Sequence, residues 1–93
     1  MLDASKLGFN RLIRRKYEEC ELYIASKGND EYLIILFKEN EGKESGYYYF
    51  KVMKAEAIEW NCTSILYYPY GLFGFARSKE ELISKINEKI QRL

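Results

Sequence analysis

The chain of 93 residues contains no histidine, two cysteines and one proline. The absence of histidine excludes Ser-His-Asp and Cys-His catalysis, and it argues strongly against a zinc site. No apolar run approaches the roughly 20 residues that span a bilayer. Residues 1–6 also lack the apolar core of a signal peptide, so we expect a cytoplasmic protein with no membrane partner.

The two cysteines, Cys20 and Cys62, lie far apart and form no CxxC motif. Two interpretations stay open, a disulfide bond and a pair of small buried apolar side chains. We favour unpaired thiols, because a free cysteine commonly packs as a small hydrophobe.

Charge is nearly balanced, with 15 Lys and Arg against 14 Asp and Glu and a formal net charge of +1. The whole molecule therefore has no strong positive field, and any attraction to nucleic acid must be local. A hydrophobic content of 47% supports one folded domain over residues 1–93. Abundant Ile, Tyr, Glu and Lys are typical of a thermophile or an AT-rich genome.

Residues 31–38 are the stretch around which the rest can be arranged. Six consecutive apolar residues lie between turn residues on either side, which predicts a strand buried on both faces. Residues 21–26 predict a strand that pairs with it as a hairpin through the turn at 27–30. Residues 47–52 predict a third strand, and the polar segment 39–46 predicts an exposed loop.

The N-terminal segment allows two interpretations. Apolar residues recur at helical steps of three and four: Phe9, Leu12, Ile13, Tyr17 and Cys20. With Ser5 as a cap, this favours one helix over residues 5–19. The alternative is a short helix that ends near Gly8, followed by an edge strand over 9–15.

The C-terminal half predicts a helix over 53–60 that ends before Thr63, a strand over 64–68, a turn at 69–71 and a returning strand over 72–76. Ser78 followed by Glu81 is a capping box that opens a last helix. Its apolar face comprises Leu82, Ile83, Ile86 and Ile90. We therefore predict an α/β or α+β fold with helices packed on a small mixed sheet of about five strands. The predicted order is helix-strand-strand-strand-helix-strand-strand-helix.

The order of these elements resembles a known family. Residues 21–25, a glycine turn, residues 32–38, a polar loop, a tyrosine-rich strand and a helix resemble the core of archaeal Holliday-junction resolvases. These enzymes belong to the PD-(D/E)xK nuclease superfamily. The similarity continues through 55–60 and 69–75, and it implies a restriction-endonuclease-like order of elements.

In that family, carboxylates on neighbouring strands hold a divalent ion, and a lysine near the second acid positions the attacking water. The resemblance assigns Glu21 as the first acid and Lys38 as the lysine. Leu36 occupies the position of the second acid and cannot bind Mg²⁺. The resemblance therefore implies a nuclease-like fold without nuclease activity or cofactor, unless Glu39 or Glu56 supplies a displaced carboxylate. Otherwise Glu21 and Lys38 are solvated strand ends.

Two further sets of residues are candidates for binding. Basic residues cluster near the N-terminus: Arg11, Arg14, Arg15 and Lys16. On a helix, positions 11, 14 and 15 share one face that could bind phosphates, although a solvated helix face explains them equally well. The candidate interface residues among the nine tyrosines are Tyr47, Tyr49, Tyr67 and Tyr70. Strand alternation puts Tyr48 and Phe50 on the face opposite Tyr47 and Tyr49, so one of the two sets would pack in the core. The alternative is that the tyrosines simply pack, with each hydroxyl reaching water at the margin.

Three functions follow from these observations. The first is an inactive nuclease-like module that binds DNA or another partner. The second is a small protein-interaction module, such as a viral or plasmid regulator or inhibitor, or a homodimeric scaffold. The third is an active nuclease that requires Mg²⁺.

Overall fold

A five-stranded antiparallel sheet forms the centre of the structure, and helices lie on both of its faces. The computed structural model describes residues 4–37, 48–56 and 59–93. In these ranges the elements are α1 (Ala4–Leu7), β1 (Arg11–Lys16), β2 (Cys20–Lys27), β3 (Asp30–Phe37), β4 (Tyr48–Lys54), α2 (Cys62–Tyr67), β5 (Leu72–Ala76) and α3 (Lys79–Gln91). The strand order is β1-β2-β3-β4-β5. The structure confirms an α+β class, but the sheet is antiparallel at every pairing and not mixed.

Strand β3 occupies the middle of the sheet, as residues 31–38 predicted. Leu33, Ile34 and Ile35 are fully buried. Ile34 points to one face and its two neighbours to the other, because successive side chains of a strand alternate. The prediction of a strand buried on both faces is confirmed for these residues.

The β2–β3 hairpin is also confirmed. Lys27 pairs with Asp30, so the loop contains only Gly28 and Asn29. Gly28 has φ of +64°, and a glycine at the first loop position suits a tight hairpin turn. The Gly28 N–H donates to Oδ1 of Asn10 at 2.7 Å, which ties the turn to the segment before β1.

Two apolar clusters fill the spaces between the sheet and the helices. The cluster under α1 and α3 comprises Leu7, Phe9, Tyr23, Ala25, Ile34, Phe50, Val52, Ala76, Leu82, Ile86 and Ile90. The cluster under α2 comprises Cys20, Leu22, Ile24, Leu33, Ile35, Met53 and Ile65. We call these two sides of the sheet the α3 face and the α2 face.

Helix α3 agrees with its prediction. The Ser78 hydroxyl accepts a hydrogen bond from the Glu81 N–H at 3.1 Å and caps the first turn. Its apolar face packs on the sheet as expected, with Ile83 only partly buried. Gly74 of β5 allows close approach here, since a Cβ at this position would lie 2.5 Å from Cζ of Phe50. Of the helices in the described ranges, none combines the length and apolar character needed to span a membrane.

The favoured helix over residues 5–19 is wrong, and the alternative that we left open is correct. Helix α1 is a single turn, Gly8 follows it with φ of +71°, and β1 then runs along β2. The left-handed conformation at Gly8 ends the helix. Pairing with β2 supplies backbone hydrogen bonds that a helix would make internally, so a contact distant in sequence decides the structure.

The predictions for residues 53–68 are also wrong. Strand β4 continues to Lys54 and buries Met53, where we predicted the start of a helix. Residues 64–68, predicted as a strand, lie mostly in α2, whose N-terminus is capped by Asn61 Oδ1 accepting from the Ser64 N–H at 2.8 Å. Residues 57–58 lie outside the described ranges. Strand β5 therefore pairs with β4, and the order becomes helix-strand-strand-strand-strand-helix-strand-helix.

Cys20 and Cys62 form a disulfide bond, contrary to the expectation of unpaired thiols. Their Cα atoms lie 6.0 Å apart, and the bond joins the start of β2 to the start of α2 across 42 positions of sequence. The sulfurs belong to the cluster on the α2 face, so the bond holds α2 against the sheet.

We expect reduction of this disulfide to lower the free energy of unfolding by about 2–4 kcal/mol, because the unfolded chain regains the freedom of a long closed loop. Urea unfolding with and without a phosphine reductant measures this effect. A double variant, Cys20→Ser with Cys62→Ser, is the control and should not respond to reductant. Equal stability of oxidised and reduced wild type would contradict the expectation.

Candidate functional site

The resolvase resemblance assigned Glu21 as the first metal-binding acid and placed Leu36 at the position of the second acid. These two residues lie side by side in the sheet. Glu21 on β2 is in register with Leu36 on β3. The Glu21 carboxylate accepts hydrogen bonds from Nε and Nη2 of Arg14 at 3.1 and 2.9 Å and from the Tyr23 hydroxyl at 2.8 Å. Leu36 packs against the core of the α3 face. Lys38 and Glu39 lie outside the described residues.

Glu21 and Arg14 form a bidentate ion pair, the geometry in which guanidinium and carboxylate bind most strongly. The hydrogen bonds to Glu21 raise the pKa of Arg14 above its ordinary value. Glu56 follows β4 at the end of the sheet away from Glu21, so it does not join this carboxylate. Across 4–37, 48–56 and 59–93, no three His, Cys, Asp or Glu residues are grouped as a metal site would require.

The basic residues near the N-terminus lie on the edge strand β1. The prediction that Arg11, Arg14 and Arg15 share one face of a helix is wrong. Alternation along the strand puts Arg14 toward the α3 face, whereas Arg11 and Arg15 point to the α2 face. Arg11, Arg15 and Lys16 are exposed and form no ion pair with any residue that the structure describes. Arg14 is already bound to Glu21.

Four aromatic rings pack together on the α2 face at the end of the sheet where β3 ends. This aromatic surface comprises Phe37, Tyr49, Phe73 and Phe75. The Tyr49 ring centroid lies 4.6 Å from that of Phe75, 5.7 Å from that of Phe73 and 5.0 Å from that of Phe37. Phe73 and Phe75 on β5 are 41% and 56% exposed. Aromatic residues are enriched at protein interfaces, so this partly exposed group of rings is a candidate binding surface.

Of the three proposed interface tyrosines that the structure describes, only Tyr49 joins this surface. Tyr67 and Tyr70 are 78% and 70% exposed, as expected for interface candidates, but they lie at and beyond the end of α2. Tyr47 lies outside the described residues. Phe50 is buried on the α3 face, which confirms the predicted alternation.

Sequence reasoning missed Phe73 and Phe75, although a signal for them exists. Within β5, Gly74 and Ala76 are buried while the two phenylalanines between and before them are exposed. In the sequence, Phe73 and Phe75 alternate with the small residues Gly74 and Ala76, which indicates a strand with both rings on one face.

The buried residue Lys51 lies against the aromatic surface. Lys51 is 1% exposed, and its ammonium donates to the carbonyl oxygens of Ile65 at 2.8 Å and Tyr68 at 2.6 Å. These carbonyls lie at the C-terminal end of α2, where the Ile65 carbonyl also accepts a hydrogen bond from the Tyr68 N–H at 3.3 Å and Lys51 supplies a donor to the Tyr68 carbonyl. The Lys51 Nζ also lies 5.0 Å from the centroid of the Phe73 ring, within range of a cation–π contact. Burial lowers the pKa of Lys51, but either protonation state has enough N–H groups for both carbonyls.

The backbone N–H and C=O groups of Phe73 and Phe75 point away from β4, toward the open edge of the sheet. The Ala55 N–H donates to the Glu31 carbonyl at 3.0 Å, so Ala55 and alternate residues before it in β4 bond to β3. The other residues of β4 bond to Leu72, Gly74 and Ala76 of β5. The N–H and C=O groups of Phe73 and Phe75 therefore form the outer edge.

One of these edge groups is occupied from within the molecule. The Phe75 carbonyl accepts a hydrogen bond from Nζ of Lys85 on α3 at 2.7 Å. Beside it lies an open groove of about 380 Å³, lined by Phe75, Arg77, Glu81 and Lys85. The groove therefore lies between the end of β5 and the first turns of α3.

Comparison of the chain with protein-family models, with curated proteins and with solved structures finds no match. The fold and surface define the chain only as a small α+β domain with an exposed aromatic sheet edge. Its function must be inferred from that geometry.

We expect Lys51→Met to lower the free energy of unfolding by about 1–3 kcal/mol, because the Tyr68 carbonyl loses its Lys51 donor and a buried carbonyl without a donor costs roughly that much. The Ile65 carbonyl keeps the Tyr68 N–H as a donor. Lys54→Met is the matched control, since Lys54 lies on the same strand but is exposed. Urea unfolding of both variants measures the difference. Equal stability of the two variants would show that Lys51 does not anchor α2.

Proposed function

We propose that this chain is a protein-interaction module that binds a partner through β5 and the aromatic surface. One observation carries the proposal: two exposed phenylalanine rings, Phe73 and Phe75, lie on an edge strand whose backbone groups are directed outward. An extended partner segment that adds to such an edge gains main-chain hydrogen bonds, and its alternate side chains meet the rings.

The two edges of the sheet differ in a way that favours β5. Strand β1 has four cationic residues among its six positions, which is how natural proteins prevent an edge from pairing with another chain. Strand β5 reads Leu-Phe-Gly-Phe-Ala and carries no charge. A protein partner therefore meets an open apolar edge at β5 and a charged one at β1.

The rigidity of the surface adds to the argument. Tyr49 is stacked on both phenylalanines, and the Lys51 ammonium lies beneath Phe73. Aromatic side chains held in place lose little conformational entropy on binding, which makes them effective anchors. A small regulator or inhibitor would use such a surface.

A cytoplasmic location belongs to the same proposal. Disulfides are rare in most cytosolic proteins, but intracellular proteins of hyperthermophiles are rich in them. The Cys20–Cys62 bond and a composition rich in Ile, Glu and Lys are consistent with such a source.

Selection of a random peptide library against the folded chain tests the interaction function. We expect enriched peptides with alternating apolar residues, because they would add to β5 as a strand. Phe75→Lys should weaken their binding at least about tenfold, the effect of losing one anchor worth roughly 1.4 kcal/mol. Tyr67→Lys, the same change at an exposed ring on α2, is the control. Failure to enrich any peptide, or equal binding by both variants, would contradict the proposal.

Nucleic-acid binding is a second candidate, and the exposed cations of β1 favour it. Arg11 and Arg15 lie on one face of an exposed strand, where both guanidinium groups can reach phosphates. This is the inactive nuclease-like function implied by the resolvase resemblance, since Leu36 replaces the acid that an active Mg²⁺-dependent nuclease needs.

Titration of branched and linear DNA over a salt series tests this candidate. If both arginines contact phosphates, Arg11→Gln with Arg15→Gln should reduce the slope of log K against log salt by about 2. Lys54→Gln serves as the control. Absence of binding even at low salt would exclude the candidate, and Mg²⁺-dependent cleavage of a junction would exclude the inactive form of it.

A further inference from the structure

We infer that the partner of β5 is a second copy of this chain, joined by antiparallel β5–β5 pairing about a two-fold axis at Gly74. The inference rests on the proposed interaction function and specifies its partner. The pairing would merge two sheets into one continuous sheet.

The outer edge of β5 is self-complementary in its hydrogen bonds. Phe73 and Phe75 direct their N–H and C=O groups outward, whereas Gly74 between them bonds to β4. A two-fold axis through Gly74 brings Phe73 of one copy opposite Phe75 of the other. Each such pair then exchanges both backbone bonds, as in any antiparallel ladder. The whole length of β5 is used, and the outward groups of both phenylalanines find partners.

The side chains match in the same register. Phe73 and Phe75 lie on the α2 face of the sheet, so a dyad-related copy places its own rings on that same face. Directly opposed aromatic residues stabilise an antiparallel pair. The stack that begins with Tyr49 would continue across the axis, and the most exposed aromatic area of the sheet would be covered.

The charge distribution favours this pairing over the alternatives. Arg77 and Lys79 follow β5, while the residues before it, Tyr70 and Gly71, are uncharged. Antiparallel order sets the cationic end of one strand against the uncharged end of the other, so like charges do not meet across the axis. Pairing of β1 with β1 would instead oppose arginines to arginines.

Lys85 must release the Phe75 carbonyl before a second strand can bind. Its Nζ also lies 3.2 Å from Oε1 of Glu81, so an ion pair remains after the release. A single pair of five-residue edges buries less than the roughly 800 Å² per partner of a standard interface. We therefore expect a dissociation constant in the micromolar range.

Sedimentation velocity over a concentration series tests the inference. Wild type and the control Tyr67→Lys should shift from monomer to dimer as concentration rises. Phe75→Lys should stay monomeric, because one ring of each opposed pair is lost and a lysine on an edge strand prevents pairing with another chain. A wild type that is monomeric throughout would overturn the inference, and so would a Phe75→Lys variant that folds and still dimerises.

Amide hydrogen exchange on the wild type supplies a second readout that needs no variant. Dimerisation through β5 should slow exchange of the Phe73 and Phe75 N–H groups as concentration rises and leave the N–H groups of β1 unchanged. Dimerisation without protection at these two positions would overturn the inference. Because peptide selection can succeed with a monomeric chain, failure of self-pairing remains distinct from failure of the interaction function.

Discussion

The alternation of hydrogen bonds across the antiparallel sheet is the constraint on which the rest of the structure depends. Once β3 bonds to β2 on one side and β4 on the other, the direction of every backbone group in the outer strands is set. The same pairing assigns each side chain to a face. It buries Ile34 under α3 and Leu33 under α2, and it leaves Phe73 and Phe75 at an open edge.

Helix α2 shows how a weak element is held by contacts distant in sequence. It has six residues, too few for a stable isolated helix. Three ties fix it to the sheet: the Cys62 disulfide, the buried Ile65 side chain and the Lys51 ammonium at its C-terminal carbonyls. The ammonium also lies against Phe73, so the tie that holds the helix supports the aromatic surface.

Elements with strong local signals could be predicted from the sequence. The apolar run of β3, the glycine turn of its hairpin and the capping box at Ser78 each specify their structure within a few residues. Elements decided by distant partners could not. Adjacent Leu12 and Ile13 fit a helical period as well as a strand, and only pairing with β2 selects β1. A short run such as Ile65 to Tyr68 likewise fits a strand or a helix, and the Asn61 cap that begins the helix is seen only in the structure.

The candidate site was predictable only in part, for the same reason. Tyr49 was expected at an interface and does join the aromatic surface. Lys51 was not considered, because a lysine in a strand is normally solvated and its carbonyl partners lie 14 and 17 residues away. Phe73 and Phe75 were assigned to a strand, but their exposure depends on β5 being an edge. Strand β5 lies at the edge because residues 64–68, which we predicted as a strand next to it, instead lie mostly in helix α2.

The ladder itself can be tested by measuring nuclear Overhauser effects between Hα protons of opposed strands. The account requires contacts at the close, non-hydrogen-bonded pairs Leu12 with Ala25, Arg14 with Tyr23 and Lys51 with Phe73. Observation of these contacts would establish both the β1 and the β5 edges. Their absence, with Hα contacts to the residue three positions on over residues 9–19, would contradict the account.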